Sequence, residues 1–524
     1  MSASGNLCVW NHVNIGSGGT TTLTEGNLKC TMTGADPRTT GTLGGTCADT
    51  NGWYFEIEAT NIGDGALTVG IVNDIRNGLC LGGQIHQRSD SYMWRSYSSG
   101  QFFNGSTNVT SYGSFANGDI LSFYVKSDKL YVYKNNSAVV GNVSTGTSGL
   151  SIGGTFFFPA VSRTVGGGGT SICVLKPNSD SWSYTPPSGF KGLTAKDLLL
   201  AEEVDPSEGN GSNKYHDTII YTGTGSTRSI TSLNFQPDWV LIKNRDQTDG
   251  WLNQNSVSGV GKTHEWNDDG PYEDETDCIT SFNSDGFTLS DDHKVNASTE
   301  KYVAYCWKKS VDAGFDIVEY SGNGSTNNVS HSLGAEPDCI MMHLKSGSDW
   351  DSTMYFNSPS MGTGEGVFWT LANAGQTTTY MTSVSSSTFT PTSSANTSTR
   401  TYVAYLFRSI PGFSHFGEFE GNGDANGPFI YTGFRPKFVF FKAIDATENW
   451  QIRDTARQTY NDGTTPRIYW NSNAAEAATN STASPIDFLA NGFKIRGSNT
   501  EINSNTIIYG AWGDVPYKYN NTRA

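Results

Sequence analysis

A motif that occurs three times, about 100 residues apart, constrains this chain more than any other feature. Residues 237–243 read Pro-Asp-Trp-Val-Leu-Ile-Lys, and related runs begin at Pro337 and Pro436, at offsets of 100 and 99 residues. A Trp follows each proline by 13 or 14 residues, at Trp251, Trp350 and Trp450. This period is longer than the roughly 20–50 residues of a solenoid unit. We therefore expect three tandem domains, each with its own core, in which the recurring tryptophans pack inside.

The composition around these motifs is typical of strands and tight turns. The chain has 60 glycines among 524 residues, 12% aromatic residues and 16% charged residues. Short runs of β-branched and aromatic residues alternate with Gly-, Asn- and Ser-rich turns, which is the pattern of an all-β sandwich. Each repeat closes on an apolar run without alternation, which predicts a strand buried on both faces. We therefore predict an all-β chain of tandem β-sandwiches, with domains over residues 1–176, 205–310, 311–409 and 410–524.

Residues 177–204 separate the first domain from the repeats. Pro and Ser are frequent between residues 177 and 190, which indicates an extended linker. Residues 194–203 (Thr-Ala-Lys-Asp-Leu-Leu-Leu-Ala-Glu-Glu) then favour a helix, with Thr194 as its cap. We predict one short helix in this linker.

Charge excludes one class of partner. The chain has 34 Lys and Arg against 50 Asp and Glu, a net charge of −16, and no basic cluster. Nucleic-acid binding depends on clustered cations, and anionic membranes repel such a chain, so we expect neither partner and no membrane insertion. The N-terminus lacks the basic start and apolar core of a signal peptide. The eight cysteines are scattered without a Cys-x-x-Cys motif, which favours buried, reduced thiols.

The first domain resembles the SPRY family. The residues that carry the resemblance follow one order along the chain: residues 53–56 (Trp-Tyr-Phe-Glu), Trp94, residues 112–119, residues 130–136 and residues 158–161. The sequence departs from the family at Asn136, where Gly usually follows Asn. The resemblance implies a concanavalin-like sandwich that binds through loops at one end and has no catalytic role.

Nearly the whole chain is also similar to virion surface proteins of tailed bacteriophages. The similarity rests on residues 189–191 (Gly-Phe-Lys), residues 215–223, the repeated Pro-Asp-Trp-Val motif and the ending at residues 515–521. It implies a non-enzymatic tail fibre or adhesin, made in the host cytoplasm and placed on the particle surface. Its partners would be other virion proteins and a host-surface glycan or receptor, and it would form a homo-oligomer such as a trimer. The alternatives are a capsid decoration or head fibre, and a carbohydrate-active tailspike depolymerase.

Residues 92–100 are the strongest candidate for a binding surface. Tyr92, Trp94, Arg95 and Tyr97 mix aromatic faces with a guanidinium in a loop-like composition, which suits sugar rings or a protein groove. A structural role competes with this interpretation, because Trp94 also matches a domain-defining position of the SPRY resemblance.

Acidic residues provide weaker candidates. Asp268, Asp269, Glu273 and Asp274 could bind Ca²⁺ through carboxylate oxygens, although a solvated loop explains them better. The pairs Glu418/Glu420 and Asp349/Asp351 could each share a strand face, as glycoside hydrolysis would need. No Gly-x-Ser-x-Gly or His-Glu-x-x-His motif occurs. We therefore expect no enzyme activity, no cofactor and no metal.

Overall fold

The computed structural model confirms an all-β chain. The structure describes all residues except 1–6, 17, 65, 74–84, 98–99, 106, 155, 165–168, 199–201, 209, 348–351, 459–460, 462, 464–465, 477–484 and 520–524. Strands dominate the described residues, and every strand pairing among them is antiparallel apart from one isolated bridge. The chain divides into two compact units, one containing residues 1–198 and the other containing residues 199–427 and 431–520.

The first unit contains two antiparallel sheets. One has the strand order β1-β4-β15-β7-β8-β9-β10, with β5 beside β15, and the other has the order β13-β12-β11-β6-β16-β3-β2, with β14 beside β12. The strands are β1 Trp10–Ile15, β2 Thr20–Thr24, β3 Lys29–Thr33, β4 Arg38–Gly41, β5 Gly45–Thr46, β6 Trp53–Asn61, β7 Leu67–Asn73, β8 Ser91–Arg95, β9 Gln101–Asn104, β10 Thr107–Ser111, β11 Ile120–Lys126, β12 Lys129–Lys134, β13 Ser137–Val140, β14 Leu150–Ser151, β15 Phe156–Arg163 and β16 Thr170–Lys176.

Aromatic residues join the two sheets of this unit. Phe55 on β6 stacks on Phe123 of β11 at 5.0 Å between ring centroids, and lies 6.3 Å from Phe157 of the opposite sheet. All three side chains are buried. The neighbours of Phe55 on β6, Tyr54 and Glu56, are also fully buried although they point to the other face of the sheet. Something must therefore cover the outer face of this sheet.

The cover is the segment that the sequence predicts to be a linker. Residues up to 198 belong to the first compact unit. The predicted helix over residues 194–203 is wrong: Ala195–Asp197 forms a single 3₁₀ turn, Leu198 is extended (φ −61°, ψ 134°), and Glu202–Val204 forms a separate 3₁₀ turn. Leu193 and Ala195 are fully buried in the unit. A helix of about ten residues is marginal by itself, so packing determines the backbone here.

The second unit repeats one arrangement three times. Each repeat has a main sheet that begins with its first strand at one edge, and a separate three-stranded sheet. Repeat 1 contains β17 His216–Thr222, β18 Arg228–Ile230, β19 Trp239–Asn244, β20 Leu252–Asn255, β21 Lys262–Glu265, β22 Glu273–Asp274, β23 Ile279–Asn283, β24 Gly286–Leu289 and β25 Lys301–Trp307. Its main sheet has the order β17-β25-β19-β20-β21-β22, and its small sheet has the order β18-β24-β23.

Repeats 2 and 3 follow the same order. Repeat 2 contains β26 Phe315–Ser321, β27 Val329–Ser330, β28 Cys339–Ser346, β29 Thr353–Phe356, β30 Glu365–Phe368, β31 Gln376–Thr379, β32 Met381–Val384, β33 Thr388–Pro391 and β34 Thr401–Phe407. Repeat 3 contains β35 Ser414–Glu420, β36 Phe429–Tyr431, β37 Phe434–Ala443, β38 Gln451–Asp454, β39 Ile468–Tyr469, β40 Ile486–Leu489, β41 Gly492–Ile495 and β42 Thr506–Pro516. The α-helices among the described residues are α1 His293–Asn296 and α2 Thr500–Asn503, and none is long and apolar enough to cross a membrane.

The repeats share a core in addition to their own. On β19, Val240 and Ile242 point into the core of repeat 1, whereas Trp239 and Leu241 point to the other face. That other face joins the equivalent faces of repeats 2 and 3 in one cluster of buried residues. The closing strands are buried on both faces, as predicted, because they lie between these two kinds of core. The three repeats therefore form one compact unit instead of three separate domains.

Tryptophans occupy the centre of the shared core. Trp266 of repeat 1 stacks on Trp369 of repeat 2 at 4.7 Å and on Trp470 of repeat 3 at 5.5 Å. The recurring Trp251 and Trp450 are fully buried, as predicted, and each donates its indole N–H to a backbone carbonyl of another repeat. Trp350 lies outside the described residues.

Three equivalent backbone hydrogen bonds close the repeats into a ring. In each bond, the donor is a backbone N–H from the segment that follows the fifth strand in the order of the main sheet (β21, β30 or β39). The acceptor is a backbone carbonyl at the end of the third strand in that order (β28, β37 or β19) of the next repeat. Repeat 1 donates to repeat 2, repeat 2 to repeat 3, and repeat 3 back to repeat 1. The bonds run from Tyr272 to Lys345 (3.2 Å), from Gly375 to Ile444 (2.6 Å) and from Glu476 to Arg245 (2.9 Å).

Candidate functional site

Residues 177–197, which we name the strap, are fixed across the outer face of the second sheet of the first unit. Glu56 is fully buried beneath the strap and accepts hydrogen bonds from the backbone N–H of Ser183 (2.6 Å) and of Tyr184 (2.8 Å). The Tyr54 hydroxyl donates to the same carboxylate at 2.5 Å. A buried carboxylate with three donors is a strong anchor, because charged acceptors make the stronger hydrogen bonds in proteins.

Two aromatic side chains of the strap pack on the sheet. Trp182 meets Tyr54 edge-on at 4.8 Å, and Phe190 meets Tyr124 edge-on at 5.4 Å. The Lys126 ammonium lies 5.6 Å from the centroid of the Phe190 ring. Both strap rings are only partly buried, so part of each ring is exposed to solvent.

The two ends of the strap meet and close it into a loop. The Leu193 N–H donates to the Pro177 carbonyl at 2.7 Å. A Cβ on Gly192 would lie 2.9 Å from that carbonyl oxygen and 3.3 Å from the Trp182 ring, so only glycine fits without a shift. The Lys191 N–H donates to Gly52 at 3.0 Å, and its carbonyl accepts from Tyr54 at 2.8 Å. The loop is therefore held in one conformation before any ligand arrives.

A pocket opens between the ends of this loop. Its volume is 410 Å³, which lies within the range of small-molecule sites, roughly 300–1,000 Å³. Aromatic, amide, hydroxyl, carboxylate and ammonium side chains all contribute to its wall. The lining residues are Asn178, Ser179, Asp180, Trp182, Phe190, Lys191, Gly192, Thr194, Lys196 and Asp197.

Charged groups of both signs line the pocket, and most are already oriented. Asp180 accepts from the Asn178 amide at 3.1 Å, and Asp197 accepts from the Thr194 hydroxyl at 2.7 Å. Lys191 forms an ion pair with Asp49 at 2.8 Å. Lys196 is exposed and forms no ion pair within the part of the chain that the structure describes. Lys196 is thus the cation of the pocket that is available to a ligand.

The ion pair beneath the pocket perturbs one carboxylate. Burial raises the pKa of Asp49, but the hydrogen bonds from the Lys191 ammonium and from the backbone N–H groups of Gly52 and Asn51 outweigh it, so the pKa lies below its ordinary value. The Asp49 carboxylate is therefore ionised at neutral pH and fixes Lys191 at the pocket rim.

Of the four predicted binding residues in strand β8 and just after it, two are buried and two have exposed surface. Trp94 is fully buried, meets Phe115 edge-on at 5.2 Å and donates its indole N–H to a backbone carbonyl. Tyr92 is 7% exposed, its hydroxyl accepts from a backbone N–H, and burial raises its pKa. Neither ring can serve as a ligand platform, because almost none of its surface is exposed.

Arg95 and Tyr97 remain accessible. Tyr97 is 45% exposed, and the Arg95 guanidinium lies 5.4 Å from its ring centroid while donating to Gln101 at 2.7 Å. Burial lowers the pKa of Arg95. This pair forms a patch instead of a pocket, and binding by it stays a prediction.

The predicted acidic loop does not bring its carboxylates together. Asp269 accepts from Thr370 at 2.6 Å, whereas Asp274 is paired with Lys262. Asp268, Glu273 and Asp274 are exposed. Among the described residues, one group of three potential metal ligands lies within 4.8 Å of one another; it consists of Asp277, Cys278 and Asp292 and contains none of these four.

Glu418 and Glu420, one of the two carboxylate pairs considered for glycoside chemistry, are bound to neighbouring hydroxyls. Glu418 accepts hydrogen bonds from Ser358 and Ser360, and Glu420 accepts from Thr506 at 2.9 Å. Burial, with the nearby Asp445, raises the pKa of Glu420. Asp349 and Asp351 lie outside the described residues, as does Cys80, while the other seven cysteines are buried and free.

Sequence reasoning missed the strap pocket because it interpreted Pro and Ser density as a sign of an extended linker. One signal was available: Trp182, Tyr184 and Phe190 lie within nine residues of each other. Linkers that stay in solvent contain few aromatic residues, so this group predicts packing. No comparable signal predicts the burial of Glu56. Its place between apolar residues on β6 is the pattern of a charged residue on a solvent-exposed strand face.

Solved structures that are similar to this chain cover about a third of it. The SPRY domain of human HERC1 has a TM-score of 0.24 and 13% identity, with 32% of this chain and 96% of that chain covered. A human SPRY domain has a TM-score of 0.23 and 18% identity, with 30% and 94% covered. The carbohydrate-binding module CBM66 from Bacillus subtilis has a TM-score of 0.22 and 14% identity, with 33% and 94% covered. Values this low carry no inference about function.

Comparison with families places a match on the second unit. The profile described as "Domain of unknown function (DUF7483)" matches residues 211–516, which contain the three repeats and more than half of the chain. No curated protein matches the chain.

Proposed function

The chain belongs to the DUF7483 family, and we propose that it is a non-enzymatic binding protein that holds a glycan in the strap pocket of its first unit. The observation that carries the proposal is the composition of a preformed pocket. The partly exposed rings of Trp182 and Phe190 line this pocket together with the carboxylates of Asp180 and Asp197 and the ammonium of Lys196.

This set of groups matches the chemistry of a sugar. A pyranose has apolar C–H faces that pack on aromatic rings, and hydroxyls that both donate to carboxylates and accept from amides and ammonium groups. The pocket offers each of these partners within 410 Å³. Because Glu56 and the contact between Pro177 and Leu193 fix the loop beforehand, little conformational entropy is lost on binding.

The resemblance to bacteriophage virion proteins supports a place for this binding. We propose that the protein lies on the particle surface, as a tail fibre or adhesin, and that the glycan belongs to the host cell. A capsid decoration or head fibre would present the same pocket at another place on the particle. Immunogold labelling of intact particles tests this part: label at the tail supports the adhesin, label over the head supports the decoration, and absence of label from purified particles refutes both.

The absence of catalysis is part of the proposal. Its support is that Glu418 and Glu420, the carboxylate pair on strand β35, are each bound to hydroxyl groups. Incubation of the protein with bacterial surface polysaccharide should release no reducing ends. Release of reducing ends would favour a depolymerase.

Binding itself is tested with an array of immobilised bacterial surface oligosaccharides, followed by calorimetry on any hit. Trp182→Ala removes one aromatic wall and should weaken binding at least tenfold, about 1.4 kcal/mol. Lys196→Ala tests the available cation without touching the anchoring contacts of the strap. Tyr97→Ala is the matched control, because it removes an exposed aromatic ring from the other candidate surface.

The outcomes separate the two surfaces. Loss of binding in the Trp182 and Lys196 variants with retention in the Tyr97 variant supports the strap pocket. The opposite pattern would assign binding to the Arg95/Tyr97 patch and refute the pocket. Circular dichroism of each variant establishes that the sheet it lies on is intact.

A further inference from the structure

Two cysteines of the first unit lie directly opposite each other on adjacent strands. Cys30 on β3 and Cys173 on β16 are register partners, and cross-strand partners point to the same face of a sheet. Both side chains are fully buried. Cys306 and Cys339, the other described cysteines that lie on strands, have no cysteine opposite. On the described strands, the opposed pair therefore occurs at this position alone.

The spacing of the two strands suits a disulfide at this position. The Leu175 N–H donates to the Leu28 carbonyl at 2.9 Å, so Leu28 and Leu175 form a hydrogen-bonded pair of the antiparallel ladder. Cys30 and Cys173 lie two residues away on each strand, and hydrogen-bonded pairs recur with that period. The Cα atoms of such a pair are about 5.5 Å apart, within the roughly 4.4–6.8 Å that disulfides span.

The two side chains are already in contact. The thiols of Cys30 and Cys173 share a hydrogen bond, which brings their sulfur atoms close together. Burial, together with Cys30, raises the pKa of Cys173 well above its ordinary value. The thiolate is the form that reacts with an oxidant, so the pair stays reduced while the sheet is closed around it.

Access for an oxidant comes from the edge of the sheet. Strands β2 and β3 pair as a hairpin, and β2 is the last strand in the order of this sheet. The residues of β2 are exposed or half-buried. Segments with few buried contacts open locally without global unfolding. Separation of this hairpin from β16 exposes both thiols and allows them to ionise.

We propose that Cys30 and Cys173 form a disulfide when the protein meets an oxidising environment, and that this bond ties the β2–β3 hairpin to β16. The oxidant is a small disulfide such as oxidised glutathione. One cysteine thiolate attacks a sulfur atom of the oxidant and releases one glutathione thiolate, and the second cysteine thiolate then displaces the other to form the S–S bond. The two cysteines lose two protons and two electrons, and the oxidant becomes two molecules of reduced glutathione.

The bond strengthens the sheet that carries the strap. Strand β16 ends at Lys176, immediately before the strap begins. A disulfide restricts the unfolded chain more strongly when the residues it joins are far apart in the sequence, as Cys30 and Cys173 are. The oxidised sheet is therefore closed at its edge, whereas the reduced sheet can open there.

Peptide mapping of the full chain tests the proposal. The protein is incubated with oxidised glutathione, both in the native state and during refolding from urea, and the remaining thiols are alkylated in denaturant before digestion with trypsin. The peptides that contain Cys30 and Cys173 should be linked to each other. A melting transition should shift upward by about 5 °C or more, and reduction should reverse the shift.

Two variants serve as test and control, and each is compared in its oxidised and reduced forms so that effects of the substitution itself cancel. Cys173→Ala removes one partner and should abolish both the link and the shift. Cys8→Ala is the matched control, because it removes another fully buried thiol of the first unit, one that donates to the Leu43 carbonyl. It should keep both.

Four results would overturn the proposal. They are absence of the link after both incubations, a link from either cysteine to a different one, a linked protein that melts no higher than the reduced protein, and an equal shift in the Cys173→Ala variant.

Discussion

Acid should destabilise the second unit through a pair of buried histidines between repeats 1 and 2. The rings of His264 and His343 lie in contact, with centroids 3.5 Å apart and planes tilted by 38°, and both side chains are buried. His343 donates from Nε2 to the Gly270 carbonyl at 3.0 Å, and His264 donates from Nε2 to the Asp268 carbonyl at 3.1 Å. Burial lowers the pKa of His343 to about 3, and burial together with His343 lowers the pKa of His264 well below 6.5.

The sign and size of the effect follow from linkage. A histidine whose folded pKa is depressed stabilises the fold fully above its unfolded pKa of about 6.5, and this stability is lost as the pH falls toward the folded pKa. Between pH 7 and pH 5, each such histidine removes about 2 kcal/mol, at 1.36 kcal/mol per pH unit below about 6.5. The pair should therefore cost about 4 kcal/mol of unfolding free energy.

Urea unfolding monitored by tryptophan fluorescence measures this loss, because the shared core contains many of the buried tryptophans. His343→Gln removes one titrating group, so the loss between pH 7 and pH 5 should be about 2 kcal/mol smaller than in the wild type. His12→Gln, at an exposed side chain, should leave the loss unchanged. Equal pH dependence of the wild type and the His343 variant would refute the reasoning, whatever the buried His216 contributes.

Three further substitutions test other contacts. Glu56→Ala removes the acceptor of three hydrogen bonds that anchor the strap, so it should lower the unfolding free energy by about 3 kcal/mol and abolish glycan binding in the strap pocket; unchanged binding would mean that Glu56 does not hold the pocket. Gly510→Ala places a Cβ 2.4 Å from the Phe440 ring and should cost about 2 kcal/mol, seen as a lower melting temperature; no change would show that the ring can move. Tyr405→Phe removes a buried hydroxyl that is bonded to Asn253, so it should lower the unfolding free energy by at least about 0.5 kcal/mol. A smaller decrease would show that water replaces the hydroxyl.

The sequence predicts the strands of the repeats well because their register follows from local pattern. Alternating Trp239, Val240 and Leu241 each have a core to face, and the motif recurs with every repeat. The shared core is harder to predict. A strand that is buried on both faces has the same apolar sequence pattern whether its second face packs on its own repeat or on another repeat.

Differences between the repeats at equivalent interface positions could not be interpreted from the sequence pattern alone. Tyr305 and Tyr405 occupy equivalent positions, and their hydroxyls bond to Asp454 and to Asn253 of other repeats. The third equivalent is Gly510, over which the Phe440 ring packs. Two interfaces are therefore joined by a hydrogen bond and the third by ring packing, and only the structure shows this difference. The strap pocket was missed for a related reason, because composition describes a segment without saying what lies beneath it.

The ring of hydrogen bonds between the repeats also determines which contacts can form before synthesis of the chain is complete. The last of the three joins Glu476 to Arg245, which are 231 residues apart in the chain. Contacts at such separation form late, because loop closure must occur first. Until the third repeat has left the ribosome, the side of Trp266 that packs on Trp470 stays uncovered. A chain truncated before repeat 3 should therefore aggregate instead of folding as a shorter array.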